Sequence, residues 1–444
     1  MRIRIPQFQI PNPFKVSLIN YSYLYIIAVF MLPQYFGISI GGFALTAQRA
    51  LMLVWLIIIF RSGKHRYQFI TAAMTCPITP LVILYLFVII YTSFMRNDIK
   101  SLISPVADYV MVLYIIMYII RYIIRPELFF DYFRKMVWLI GCLGIAEGLV
   151  RQNPYRLLHT ISYINGGGSW RGGAYRIGAM CSHPIGYGMY LLLLIAVVSY
   201  DIKSKKISIW KNKWLILLLA VNMFLTGSRS TLGIMFLELV VLFVLSGDMT
   251  GNIKTVSSCL KVGSVLFLFG IVFYDTSIVQ YVCLQFAQVI DVIFETDYAL
   301  QFGGSSSIIN SDMYRAVLPS VFTQSHILSP WLGRGLNSGY EEYFYSEAYG
   351  RMVSVQSIDN CYINLYVCYA IPGLLTFVML IITPMVHCLR RVRGKKGGFY
   401  RAMLGGFLCY MISLWYADHL NTFKPFFALI GVIYAVSGEK SDAI

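Results

Sequence analysis

Residues 78–95 read ITPLVILYLFVIIYTSFM, eighteen positions without one charged side chain. At 1.5 Å of rise per residue a helix over this stretch is about 27 Å long, close to the roughly 30 Å hydrocarbon core of a bilayer. The rest of the chain has the same character. Of 444 residues, 58% are hydrophobic and 13% charged, and the mean hydropathy is +0.67. A soluble domain carries about 25% charged residues. Half that share leaves too little polar surface to cover a water-exposed fold, so the solvent for most of this chain is lipid.

Working outward from 78–95, apolar runs predict spans at 17–35, 44–60, 78–95, 103–124, 131–150, 184–200, 212–227, 230–247, 257–274, 358–384, 400–417 and 422–438. The expected fold is all-α: one polytopic membrane domain over 1–444 with about twelve transmembrane helices. The N-terminal stretch MRIRIPQFQIPNPFK is basic and runs into an apolar segment with no small-residue cleavage site, which reads as an uncleaved first span.

The net charge of +16 follows the same layout. Lys and Arg gather in the N-terminal tail and in alternate loops: Arg61, Lys64 and Arg66; Arg121, Arg125, Arg134 and Lys135; Lys203, Lys205, Lys206, Lys211 and Lys213; Arg390, Arg391, Arg393, Lys395, Lys396 and Arg401. Positive loops stay in the cytoplasm, so both termini are expected inside, and topology rather than nucleic-acid binding accounts for the charge. Most of the nine cysteines lie in apolar runs and none forms a CxxC, so they read as small buried hydrophobes. Cys181 and Cys283 are both expected outside, where they could pair.

Two expected outer loops are long. Residues 151–183 are glycine-rich and carry Arg151, Arg156, Arg171 and Arg176; residues 275–357 hold nearly half of the acidic residues. Within the second, 280–294 and 313–322 read as amphipathic helices on the membrane surface, and the tyrosine-rich run 339–345 as a sugar-contacting or interfacial cluster. Long loops of this kind are where function concentrates.

Basic residues outside need a reason other than topology. Arg176 precedes the sixth span, Arg229 sits in the tight turn LTGSRSTLG, and Arg315 lies in DMYRAVLPSVF. A guanidinium matches phosphate oxygens bidentately, so these three could hold a lipid-linked pyrophosphate; headgroup snorkelling or a structural ion pair is the plainer alternative. His183, before Pro184, reads as a structural hydrogen-bonding residue or a base. Asp359, beside Asn360, could cap the helix that follows or take a proton from a sugar hydroxyl. Glu238 falls inside the eighth span, where a carboxylate is costly and faces the bundle interior. Asp108 and Glu147 near outer span ends are weaker candidates. No Walker A, HExxH, DxD-type pair or GxSxG is present, so an ATP-driven or metallohydrolase reading has no residues behind it.

The pattern resembles the O-antigen ligase and polymerase superfamily of bacterial membrane glycosyltransferases, over about residues 40–435. The resemblance rests on the span layout with its large late outer loop, and on ordered motifs: Arg176 with His183–Pro184–Gly186, then Thr226–Gly227–Ser228–Arg229–Ser230, then Tyr314–Arg315, Trp331–Leu332–Gly333–Arg334–Gly335 and Asp359–Asn360–Cys361–Tyr362. It implies a GT-C-like enzyme of the bacterial plasma membrane, working at its outer face without metal, nucleotide or other cofactor. Undecaprenyl-pyrophosphate-linked glycan would be donor and acceptor, with membrane lipids around it and a chain-length regulator and flippase as further partners. It implies that Arg229 and Arg315, with Arg176, hold the pyrophosphate, that Asp359 or His183 is the base, and that Asn360, Tyr314, Arg334 and Glu238 support the site. Ligases of the superfamily carry His where this chain has Asp359, which favours a polymerase of O-antigen, capsule or exopolysaccharide repeat units. A ligase, or a flippase or transporter of lipid-linked oligosaccharide, is the rival reading.

Overall fold

A computed structural model describes residues 13–41, 43–162, 164, 168–171, 174–247, 249–294, 298–301, 329–336, 342–346, 351–355, 358–394 and 396–438. Fourteen helices carry most of the described chain: α1 (Pro13–Phe30), α2 (Ala47–Arg61), α3 (Gly63–Met74), α4 (Thr79–Met95), α5 (Ile99–Ile123), α6 (Pro126–Val150), α7 (Pro184–Ser199), α8 (Lys213–Leu225), α9 (Arg229–Leu245), α10 (Met249–Val272), α11 (Ser277–Phe294), α12 (Cys361–Arg391), α13 (Gly397–Tyr416) and α14 (Phe423–Ser437). Each of the twelve apolar segments expected from sequence lies on a helix. Among the described residues, three helices are long and apolar enough to cross a membrane, α5, α10 and α12, or four if α3 and α4 form one bent span. Strands are limited to short antiparallel hairpins, among them β1 (Gly37–Ile40) with β2 (Phe43–Thr46) and β3 (Ser169–Arg171) with β4 (Ala174–Arg176).

Two helices are buried on nearly every side, α7 and α14. Both are apolar around their whole circumference, and such a helix belongs at the centre of a bundle. Small residues let neighbours approach them. A Cβ on Gly406 of α13 would lie 2.2 Å from the Cβ of Ala196 on α7, and one on Gly431 of α14 would lie 2.4 Å from the Leu113 carbonyl oxygen on α5. Close backbone approach of this kind is how helices associate where lipid removes the hydrophobic drive. A polar tie adds direction: the Tyr187 hydroxyl of α7 donates to Asn222 Oδ1 of α8 at 3.0 Å, and Asn222 Nδ2 donates to the Gly141 carbonyl of α6 at 2.9 Å.

The structure departs from the sequence reading in two places. The basic stretch after α2, expected to be a loop, forms the separate helix α3, bent by 87° from α4. Phe69 packs on Tyr118 of α5, and the Tyr118 hydroxyl and His65 Nδ1 are 2.7 Å apart, so this segment folds back onto the bundle end. The second departure is inside α12, where Ala370 has φ 54° and ψ −161° and breaks the helix. Segment 330–335 lies against the break and satisfies it. Arg334 N–H donates to the Val367 carbonyl at 2.9 Å, Gly335 N–H to the Cys368 carbonyl at 3.0 Å, and Ile371 N–H to the Pro330 carbonyl at 3.1 Å. A Cβ on Gly333 would fall 2.2 Å from the Cys368 oxygen, so only glycine permits this approach. Irregular backbone is tolerated in a membrane bundle when protein supplies the missing partners.

The two ends of the bundle differ. At one, Arg121 donates to the Gly438 carbonyl, Arg134 to the Tyr200 carbonyl, and Gly398 packs on Lys205 and Lys206. These are the basic loops assigned to the cytoplasm. The other end gathers the loops that carry the candidate site.

Candidate functional site

The site is organised by a residue the sequence ranked low. Glu147, at the last turn of α6, is fully buried. Its Oε1 accepts from the Tyr175 hydroxyl at 3.1 Å and Gly178 N–H at 3.0 Å, and its Oε2 accepts from Ala179 N–H at 2.8 Å. Ala179 stands at φ 45°, a conformation disfavoured for a residue with a Cβ. Its carbonyl is held in turn by Asn153 Nδ2 at 2.8 Å. The clamp fixes β4 and the turn after it, and with them Arg176. Burial, with the Glu147 carboxylate beside it, raises the Tyr175 phenol above its ordinary range, so Tyr175 remains a donor.

Arg176 is buried, and its Nε donates to the Thr226 carbonyl at 2.8 Å. One residue on, Ile177 N–H donates to the Leu225 carbonyl at 3.1 Å. The strand end therefore caps the last carbonyls of α8, where a cation is favoured. The chain then turns through Gly227 at φ 57°, and a Cβ there would lie 3.1 Å from Arg176 Cγ. Ser228 N–H donates to Thr226 Oγ1 at 3.2 Å, and Arg229 is the first residue of α9. Arg176 thus bonds the backbone of the four-residue turn that ends at Arg229. Burial raises the Tyr281 phenol of α11, with the charge of Arg176 opposing that shift. That helix, expected from 280–294, packs through Phe286 onto Phe224 and Phe236.

His183 is the N-cap of α7, its Nδ1 accepting Ile185 N–H at 3.2 Å. Asn360, not Asp359, caps α12: its Oδ1 accepts Ile363 N–H at 3.0 Å while its Nδ2 donates to the Trp415 carbonyl at 2.9 Å. Asp359 is left one position before the cap and half-buried. Next to this cap lies an acid–histidine pair that sequence reasoning missed. Asp418 Oδ2 accepts from Asn364 Nδ2 at 3.1 Å, and His419 packs edge-on against Phe423. The signal available was the polar run ADHLNT between two apolar helices.

Glu238 lies elsewhere. It is fully buried about 13 Å along α9 from Arg229 at 1.5 Å per residue, with Oε1 facing Gly406. Arg334 serves the α12 break through its backbone. Tyr314 and Arg315 lie outside the described residues, as do 313–322 and the first three residues of the tyrosine-rich run 339–345; the rest of that run lies in the strand Glu342–Ser346, which pairs with Arg351–Val355 as a hairpin. Cys181 and Cys283 both carry free thiols, so the bridge that would join them is not formed. Burial pushes the Cys181 thiol up to about 12. Among the described residues no group of three or more His, Cys, Asp or Glu is arranged to hold a metal ion.

Comparison with protein-family models and with curated proteins finds no match.

Proposed function

We propose that the chain is a glycosyltransferase of the bacterial plasma membrane that joins polyprenyl-pyrophosphate-linked oligosaccharide repeat units at the outer face. The supporting observation is that Arg176, on the loop that Glu147 clamps, bonds the turn 226–229 that ends in Arg229. In this reading the chain crosses the bilayer about twelve times with both termini inside, which places that turn at the outer surface. The bond from the anomeric carbon of the growing glycan to its pyrophosphate oxygen breaks, and the electron pair leaves with the pyrophosphate. Arg176 and Arg229, joined by Arg315, offset the charge that develops on it. A hydroxyl oxygen of the incoming unit bonds to the anomeric carbon, and its proton passes to a carboxylate.

Asp359 suits that last role better than His183. A histidine whose Nδ1 accepts an N–H carries its proton on Nε2 when neutral, and a protonated Nε2 donates rather than accepts. Asn360, not Asp359, caps α12, and the half-buried Asp359 stands beside that cap.

The test is transfer in vitro: purified protein in detergent, lipid-linked repeat units, and products resolved on a gel. A ladder of lengths is expected from the native chain. Arg229→Ala and Arg315→Ala should cut it on the order of 10²–10³-fold, and Asp359→Ala should abolish it. Single units persisting with well-folded native protein would exclude polymerisation. A carrier of lipid-linked oligosaccharide is the second reading, favoured by Glu238, a buried carboxylate within the bundle. Movement of glycan across vesicles that depends on Glu238 and not on Arg229 would select it.

A further inference from the structure

A cavity of about 260 Å3 lies apart from the Arg176–Arg229 turn, bounded by α2, α5 and the start of α14. That is several times the roughly 30 Å3 share of one water in the liquid. Its charged lining among the described residues is Arg49, Lys100, Asp108 and Lys424. Arg49 and Asp108 consume each other: Arg49 Nε donates to Oδ1 at 2.9 Å and Nη2 to Oδ2 at 2.5 Å. Arg49 also donates to the Ala44 carbonyl and to Ser104 Oγ, each at 2.7 Å, and lies 5.5 Å from the centre of the Phe43 ring. Asp108 reaches this position because α5 opens into a π-helical turn over Pro105–Val110, a distortion that recurs at functional sites.

The lysines have no such answer in the wall. Lys424 is buried, and among the described residues its ammonium donates to two carbonyl oxygens, Ala28 at 3.4 Å and Leu32 at 3.3 Å. An ammonium has three donors, and a buried charge held by two long contacts is poorly compensated. Lys100 opens onto the same space from the solvent side. With Arg49 paired to Asp108, the described lining carries a net excess of two positive charges, Ser104 as a hydroxyl, and room for a tetrahedral anion. Lys424 and Gln34 also line a narrow cleft that continues toward Cys181 and Ser182, beside His183.

We propose that this cavity is a second anion site that takes a phosphate group, with Lys424 and Lys100 as its ligands and the Arg49–Asp108 pair as its wall. The proposal does not depend on glycan transfer. The phosphate has two possible sources, a polyprenyl phosphate headgroup in the membrane or free phosphate in solution.

The test is thermal unfolding of the full-length protein in detergent, titrated with undecaprenyl phosphate in one arm and inorganic phosphate in the other. A saturable upward shift is expected from at least one probe. Lys100→Gln, at the exposed edge where folding is not at risk, should weaken it about tenfold, the worth of one charge-assisted hydrogen bond. Lys424→Met should weaken it further, and Asp201→Asn, at the opposite end of the bundle, should leave it intact. A shift from the lipid alone assigns the headgroup as source; a shift from both assigns free phosphate. No shift from either probe, a shift indifferent to both lysine variants, or one weakened as much by Asp201→Asn would overturn the site.

Discussion

Glu147 and Glu238 are the same residue type, both fully buried in a helical bundle. Glu147 takes three hydrogen bonds from a loop and holds it in a conformation the loop would not keep alone. Glu238 has no hydrogen bond to either oxygen among the described residues and sits at a tight crossing of α7, α9 and α13. The first carboxylate is surrounded by donors because it lies where α6 ends and backbone N–H groups are unpaired by helix. The second lies within α9, where neighbouring helices have already used their own N–H groups. Burial alone therefore says little about what a carboxylate does; the donors within reach decide it.

The largest test of that contrast is Glu147→Ala. It leaves three buried donors without an acceptor, at roughly 1–3 kcal/mol each before relaxation. A loss of about 3 kcal/mol or more is expected in detergent unfolding, with transfer activity lost alongside because Arg176 is no longer placed. A change below about 1 kcal/mol would mean the loop stands without its clamp. Next comes Gly406→Ala. The added methyl meets Ala196 at 2.2 Å, so α7 and α13 must separate, at about 1–3 kcal/mol. An unchanged midpoint would show that the Glu238 crossing is loose rather than close-packed.

Glu238→Met should act in the opposite direction. Replacing an uncompensated buried carboxylate by an apolar chain of similar size is expected to raise stability by about 1 kcal/mol. Destabilisation by that change would reveal a partner for Glu238 and erase the contrast with Glu147.

The smallest effect concerns a third carboxylate, at the water's edge. Burial opposes ionisation of Asp201, but bonds from Lys211 Nζ at 2.8 Å and from Ser204 outweigh it and hold the carboxyl at about 2, below its ordinary 3.8. A depressed folded value contributes stability above the unfolded value and loses it as pH falls through the folded one. The midpoint of the native chain should therefore drop more than that of Asp201→Asn between pH 4 and pH 2. Parallel curves would show that the Lys211 bridge, largely solvated on the lysine side, contributes nothing.

Helix positions were legible in the sequence because apolar run length is a one-dimensional property, and lipid imposes it residue by residue. Arg229 was legible for a related reason: a charge squeezed between two apolar runs stands out without any fold. The polar residues that matter most were not. Nothing near Asp108 in the chain names Arg49, 59 positions away. Glu147 looked like one more acid at a span end until the loop after β4 was folded onto it. The choice of Asn360 over Asp359 as cap turned on backbone angles at two adjacent residues that both favour that role.

The sequence by itself determined a helical membrane chain, its apolar segments, and the arginines at loop positions that charge bias does not explain. Folding in three dimensions added that Arg176 bonds the turn ending at Arg229, that Glu147 holds the loop beside Arg176, that segment 330–335 repairs the break at Ala370, and that Lys424 faces a cavity. The division has one cause. Partition into lipid is summed along the chain, whereas the fate of a buried charge depends on donors and acceptors brought to within about 3 Å by helices distant in sequence.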